Sequence, residues 1–372
     1  MKKLLGGARR RAALVGGAVV VLVAAGAGTW ATDTWPFDGK DSYCWGAWKE
    51  DSGPGFLSGE ALDEDNASRT SKETAPTPRQ PRGRCTVALH SERFSSGGDK
   101  VVEKTEVTVD YGPAPESAAR RMEWIGGYLG DRAMPLPDSL PGVSDGRSGL
   151  LVLPKGCDTH DGRPTAVTLD STAESVYSDS TMPGDAGLGG SPSVARLLVA
   201  VANHAMEKAG CAPDTPLKVD SPVLTLSESR ETFFTRACRI RGLELGKEAE
   251  DLAYQVGPVT RDLQSCSVRQ VRGDGRYFDA LMVAEPRLAA LFDGATGSKA
   301  PARGWRGTGV FADTYKVVRA DCAGRPFTVL MLAPSLHETR PYFAAFANAV
   351  ARRVGCAPVA PVAPVAPGGS DR

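Results

Sequence analysis

Two distant segments of the chain end in the same four residues, Gly-Cys-Ala-Pro, at 210–213 and at 355–358. In both, apolar residues recur at the spacing of one helical face, and an Ala-Asn pair (202–203 and 347–348) precedes the cysteine at the same distance. Glycine ends helices readily because it adopts the left-handed conformation, and proline prevents the helix from continuing. The sequence therefore predicts one type of helix used twice, which indicates an internal repeat.

The other cysteines follow the same register. Cys157 and Cys322 each follow a strand-like run and precede Gly-Arg-Pro, and Cys85-Thr86-Val87 corresponds to Cys266-Ser267-Val268. Cys44 and Cys238 correspond only by their order. Each copy reads as strand, strand, helix, strand, strand, helix. This order predicts an α+β fold in which each repeat is a mostly antiparallel sheet with two helices on one face and two disulfides.

Three disulfide pairings are possible within each copy, and the sequence alone does not exclude two of them. We favour Cys157–Cys211 and Cys322–Cys356, because each would tie the end of a strand to the end of the final helix. Cys44–Cys85 and Cys238–Cys266 would then be the remaining pairs.

The N-terminus predicts export. Basic residues precede an uncharged stretch from Ala12 to Thr32, and roughly 20 apolar residues suffice for a spanning helix. We therefore expect a cytoplasmic basic segment at 1–11, a transmembrane signal-anchor at 12–32 and the bulk of the chain outside the cytoplasm. The alternative is a signal peptide cleaved near Ala25-Gly26-Ala27, which would release a secreted protein. Either location favours disulfides.

Composition suggests the remaining boundaries. We expect the first extracytoplasmic repeat at 33–213, a linker at 214–222 and the second repeat at 223–358. The polar, Pro-containing stretch 63–84 predicts a disordered insertion in the first repeat, and the Pro-rich end predicts a disordered tail at 359–372. Lysine plus arginine number 44, as do aspartate plus glutamate, so no basic excess points to nucleic acid.

No motif for catalysis is present. The cysteines lack CxxC spacing, the four histidines form no HExxH, and neither GxSxG nor a phosphate-binding loop occurs. His160 between Asp158 and Asp161 could belong to a metal loop, but a polar turn is the better interpretation. We therefore expect no catalytic residue, no metal and no cofactor.

Two pairs of residues are binding candidates. Trp45 and Trp48 follow Cys44 closely and could form an aromatic platform, although packing over a disulfide or anchoring at a membrane interface is the more ordinary role. Arg163 and Arg325 occupy equivalent Gly-Arg-Pro positions and could face an anionic ligand, although solvated turn residues are commoner.

The start GARRRAALVGG, the segments DTWPF (33–37) and YCWGAW (43–48), and the Gly-Cys-Ala-Pro ends resemble uncharacterised membrane-anchored cell-envelope proteins of actinobacteria. The resemblance implies location and architecture and brings no catalytic residues.

Together these features predict a non-enzymatic, membrane-anchored extracytoplasmic protein that binds a protein or cell-wall partner through duplicated, disulfide-linked domains. An extracytoplasmic ligand sensor with an interdomain cleft is the alternative, and an envelope hydrolase or transferase is a further one.

Overall fold

The computed structural model describes residues 41–63, 65–177, 180–184, 186–226, 237–240, 243, 251–272, 275–334 and 336–362, without the side chains of 336–341. The predicted cytoplasmic segment 1–11 and transmembrane segment 12–32 lie outside these residues. Within the described ranges, no helix has both the length and the apolar character needed to cross a membrane.

Both repeats are built mainly from antiparallel strands. In chain order, the described elements of the first repeat are β1 (Ser42–Tyr43), β2 (Trp48–Lys49), β3 (Asp65–Thr74), β4 (Gly83–Phe94), β5 (Lys100–Pro113), α1 (Ala118–Leu129), β6 (Met134–Pro135), β7 (Gly142–Ser144), β8 (Ser148–Val152), β9 (Thr165–Val176), β10 (Thr181–Pro183) and α2 (Gly190–Ala209). Those of the second are β11 (Leu252–Val259), β12 (Leu263–Gln270), β13 (Arg276–Val283), α3 (Pro286–Ala290), β14 (Thr308–Phe311), β15 (Tyr315–Cys322), β16 (Arg325–Leu332) and α4 (Leu336–Arg353).

The two main sheets have one strand order. The first sheet runs β3-β4-β5-β9-β8-β7-β6, with β10 paired to β9, and the second runs β11-β12-β13-β16-β15-β14. The pairing also agrees residue by residue, because Cys85 pairs with Val109 and Val109 with Leu169, as Cys266 pairs with Ala280 and Ala280 with Met331. The predicted repeated architecture is confirmed.

The repeated Gly-Cys-Ala-Pro segments have the predicted structural role. Gly210 and Gly355, which follow α2 and α4, both have positive φ, +72° and +81°. The four disulfides are Cys44–Cys85, Cys157–Cys211, Cys238–Cys266 and Cys322–Cys356. These are the pairs that the repeat favours, two in each copy.

The two helices of a repeat lie on opposite faces of its sheet, so the expectation of two helices on one face is wrong. Leu151 and Leu153 pack with α2 in one apolar cluster, whereas Leu150 and Val152 pack with α1 in another. The cause is the continuous run Leu150–Leu153, which makes both faces of the strand apolar and requires both to be covered.

The cluster that contains α1 also joins the two repeats. It includes Ile125 and Leu129 of α1, Leu288 of α3, and residues from the inner faces of both sheets. The inner faces contribute equivalent residues, such as Leu150 and Val317. The layers are therefore α2, first sheet, α1 with α3, second sheet and α4, and the described residues from Ser42 onward form one compact unit.

Polar contacts surround this shared core. Arg287 of the second repeat binds the Asp158 carboxylate at 3.0 and 2.6 Å and the Leu153 carbonyl at 3.1 and 2.6 Å. In the opposite direction, Arg121 of the first repeat donates to the Asp293 carbonyl at 2.8 Å. Burial lowers the pKa of Arg121, and Arg163 lowers it further. These contacts fix the orientation of the repeats around the apolar core.

Strand β3 occupies Asp65–Thr74 within the segment 63–84, so the predicted disordered insertion is wrong over those ten residues. Strand β3 pairs with β4, and its side chains alternate between exposed and partly buried. Composition did not predict this strand because a polar edge strand is held mainly by its backbone hydrogen bonds to the neighbouring strand. Two side chains also fasten it: Glu73 accepts hydrogen bonds from the Cys44 and Trp45 amides, and Arg69 pairs with Glu50.

The matching Ala-Asn pairs fasten the chain that follows each final helix. The Asn203 side chain donates to the Leu217 carbonyl at 2.9 Å and accepts from the Leu217 amide at 3.0 Å. Asn348 does the same for Val359 and Ala360, which are buried. The expectation of an unpacked tail is therefore wrong at 359–360, while residues 363–372 lie outside the described part.

Candidate functional site: a groove beside helix α1

A groove of about 530 Å³ opens between α1 and the inner face of the first sheet. Strand residues Arg84, Asp110 and Thr168 form its floor, and Trp124 and Tyr128 of α1 form a wall. The rim includes Gln80, Arg82, Pro113 and Pro115. All of the residues that line it belong to the first repeat.

The floor is polar because these strand positions lie beyond the part of the inner face that the second repeat covers. Asp110 is paired with Arg84 on one side and Thr168 on the other. The Arg84 guanidinium lies 3.1 Å from the Asp110 carboxylate, and both side chains are about half exposed or more, at 65% and 49%. Such an exposed ion pair adds little stability, so both groups remain available to a ligand.

The wall is aromatic because Trp124 and Tyr128 are one helical turn apart, beside the stripe that α1 buries. Met122, Ile125 and Leu129 form that stripe. The two rings meet edge to face, with centroids 5.7 Å apart and an interplanar angle of 70°. This arrangement is favourable for aromatic pairs and holds the wall in one orientation.

A second carboxylate, Asp170, lies behind the wall. The Tyr128 hydroxyl donates a hydrogen bond to Asp170 Oδ2. Burial raises the pKa of Asp170, and the neighbouring Asp110 raises it further. Burial and the charge of Asp170 also raise the pKa of Tyr128. Asp170 does not line the groove, so Asp110 is the carboxylate that a ligand meets.

The equivalent positions of the second repeat are apolar. Counting from the matched cysteines, Asp110 corresponds to Leu281, Thr168 to Leu330 and Asp170 to Leu332. These leucines are fully or almost fully buried in the core between the repeats. Helix α1 covers them so closely that a Cβ on Gly126 would lie 1.9 Å from Leu332 Cδ1.

The same face of the second sheet carries one buried charge, Asp279, at the position equivalent to Thr108. Arg269 Nη1 donates to Asp279 Oδ1 at 2.7 Å, and Arg276 Nε lies 2.8 Å from Oδ2 in an ion pair rather than an aligned hydrogen bond. Arg276 also pairs with Glu123 of α1 at 2.7 Å. The charge of Asp279 is thus paired within the protein, and Arg276 links this pair to α1.

The structure places the two candidate tryptophans in the first apolar cluster, with Cys44 and Cys85. Trp48 is 1% exposed and donates its indole N–H to the Leu197 carbonyl at 3.1 Å. Trp45 is 9% exposed. Neither ring lines the groove.

The two candidate arginines make ion pairs with nearby acids. Arg163 Nε lies 2.7 Å from Asp161, and it helps to lower the pKa of Asp161 to about 2, after the hydrogen bond from Thr159. Arg325 pairs with Asp262. The described residues contain no cluster of three His, Cys, Asp or Glu side chains suited to a metal.

The sequence does not predict Arg84, Asp110, Trp124 and Tyr128 as site residues. The signal was present in the difference between the copies, because once the cysteines are aligned, polar and apolar residues alternate on the first copy's strands where the second copy has leucines. No motif marks these residues individually.

No protein-family model matches the chain, and no curated protein or solved structure shows significant similarity to it. The resemblance to actinobacterial envelope proteins therefore stays a prediction.

Proposed function

We propose that this protein is a non-enzymatic extracytoplasmic binding protein that holds a cell-wall glycan in the groove beside α1. One observation carries the proposal: the first repeat has an open polar floor and an aromatic wall where the second has buried leucines. The C–H faces of a sugar ring stack on aromatic rings. Its hydroxyls can bond to the carboxylate, guanidinium and amide groups of Asp110, Arg84 and Gln80.

The location in this proposal combines two observations. Four disulfides are typical of an oxidising environment outside the cytoplasm. The uncharged segment 12–32 supplies a membrane anchor in the proposal, and cleavage of that segment would instead release the protein. The groove would bind a cell-wall ligand in either case.

The test uses calorimetry to measure the binding of a defined peptidoglycan disaccharide-peptide to the full-length chain in detergent micelles. Asp110→Asn should weaken binding about tenfold, because a hydrogen bond to a charged group contributes about 1.5 kcal/mol or more. Asp99→Asn, at an exposed acid of the β4–β5 turn, is the matched control and should have no effect. No saturable binding, or equal losses in both variants, would contradict the proposal.

A glycan hydrolase is the second candidate, and a specific observation favours it. Asp110 and Asp170 are diagonal neighbours on one face of paired strands, and burial raises the pKa of Asp170, as a general acid requires. The Tyr128 hydroxyl bonds to Asp170, however, and separates it from the groove. Cleavage of the disaccharide by the full-length chain, lost in Asp170→Asn, would establish this candidate instead.

A sensor with a cleft between the repeats has less support. The surface between the repeats is filled by the shared apolar core, and Arg287 and Arg121 bind across it. Opening such a cleft would expose that core to water, which is costly.

A further inference from the structure

The residues that follow Cys356 repeat the triplet Ala-Pro-Val, giving APVAPVAPVAP from 357 to 367. The structure describes this tail up to residue 362, and the first Val-Ala-Pro triplet, 359–361, is held against the second repeat. We call its binding surface, formed by Asn348, Gly304 and the Arg306 backbone, the triplet site.

The triplet site holds its occupant mainly through the occupant's backbone. Asn348 Oδ1 accepts from the Val359 and Ala360 amides, both at 2.9 Å, and Asn348 Nδ2 donates to the Ala360 carbonyl at 3.2 Å. The Arg306 amide donates to the Val359 carbonyl at 2.8 Å. These four hydrogen bonds require the chain to bend at Val359 and Ala360, as it does.

Side-chain size adds selectivity. Val359 and Ala360 are 2% and 4% exposed. Val359 belongs to the second apolar cluster, against which Trp305 and Phe311 also pack. The Pro361 ring lies over Gly304, where a Cβ would come within 2.9 Å of Pro361 Cγ. The triplet site therefore fits a small apolar residue, then alanine, then proline, and requires no charge on its occupant.

The equivalent asparagine of the first repeat holds a segment that cannot leave. Asn203 binds Leu217, and the chain continues from there into the second repeat. Val359 is instead the last described residue of the second apolar cluster, so release of the triplet removes a single residue from that cluster. The sequence repeats the Val-Ala-Pro triplet at 362–364 and at 365–367.

We propose that the triplet site is a recognition site for Val-Ala-Pro segments of a partner polypeptide, occupied in cis by the protein's own tail. All four hydrogen bonds go to main-chain groups, so the same segment of another chain makes the same contacts. A short tether gives the tail an effective concentration on the order of millimolar, so a partner displaces it only at a comparable concentration or after the tail is removed. The proposal is independent of the groove beside α1.

The test removes the tail after folding. A protease site inserted between Pro358 and Val359 allows the full-length, oxidised chain to be cut, and a labelled Val-Ala-Pro-Val-Ala-Pro peptide is then titrated by fluorescence anisotropy. We expect saturable binding to the cut chain and at least tenfold weaker binding to the uncut chain. Asn348→Ala should abolish binding, whereas Asn203→Ala, its counterpart in the first repeat, should leave it unchanged.

A cut chain that keeps its near-ultraviolet circular dichroism but binds no peptide at millimolar concentration overturns the proposal, as does an equal loss in both asparagine variants. If the uncut chain forms dimers that disappear in Asn348→Ala, the partner is a second copy of this chain and the proposal of a different partner polypeptide is wrong. Hydrogen exchange on the uncut chain needs no variant. The Val359 and Ala360 amides should exchange at least 100-fold faster than buried amides of α4, and exchange at the same rate would show that the tail does not detach.

Discussion

The inner faces of the two sheets have the same strand order but carry different side chains at equivalent positions. On the second sheet, Leu281, Leu330 and Leu332 lie under α1. On the first, Asp110, Thr168 and Asp170 occupy the equivalent positions, and part of the face stays open as the groove. The difference teaches that the environment supplied by the other repeat, rather than the strand itself, decides whether a position is core or site.

The largest effect should come from giving the second sheet the carboxylate of the first. Leu332→Asp buries an unpaired charge beneath Gly126, so we expect a loss of about 4 kcal/mol or more in the free energy of unfolding. Urea denaturation measures it. Phe94→Asp, at a side chain that is 66% exposed, is the control and should change stability by about 0.5 kcal/mol or less. A small loss at Leu332 would mean that α1 does not cover this face.

The next effect concerns the buried charge that only the second sheet carries. Asp279→Ala leaves Arg269 and Arg276 without their shared partner, so we expect a loss of about 3 kcal/mol in unfolding free energy. Thr108→Ala at the equivalent position removes a Thr86–Thr108 hydroxyl contact of 3.2 Å and should cost about 1 kcal/mol or less. Equal losses in the two variants would contradict the asymmetry.

A smaller effect distinguishes the asparagines that fasten the chain after α2 and α4. Asn348→Ala removes three hydrogen bonds from a buried side chain and should cost about 2 kcal/mol. Asn203→Ala removes two from a partly exposed one and should cost about 1 kcal/mol. Thermal unfolding in parallel gives the order, and a larger loss for Asn203→Ala would reverse this ranking.

The smallest effect is a pH dependence that comes from Asp170 on the first sheet. Folding raises the pKa of Asp170, so this residue stabilises the protein most below its ordinary value of about 3.9 and loses that contribution as pH rises through the raised pKa. Asp170→Asn should remove this loss, so its advantage over the native chain should grow from pH 4 upward. Unfolding free energies measured at several pH values would show two parallel curves if Asp170 is not responsible.

The sequence was sufficient for what is local or repeated. Helix α2, its ending at Gly210 and the repeated order follow from residues that are close in sequence or matched between copies, and the same match favours the observed disulfide pairs without excluding the others. The side of the sheet that each helix covers could not be predicted, because the run Leu150–Leu153 is apolar in both directions. Strand β3 was missed because its ladder with β4 is non-local, and the groove was missed because Asp110 and Trp124 meet only through the fold.

The core shared by the repeats also affects how such a protein can change over generations. In a symmetric homodimer every substitution occurs twice, so an aspartate at the position of Leu332 would disrupt both sides at once. Because a single chain encodes both halves, Asp170 and Leu332 can be selected separately. Fusion therefore allows one half to retain the scaffold while the other acquires new contacts.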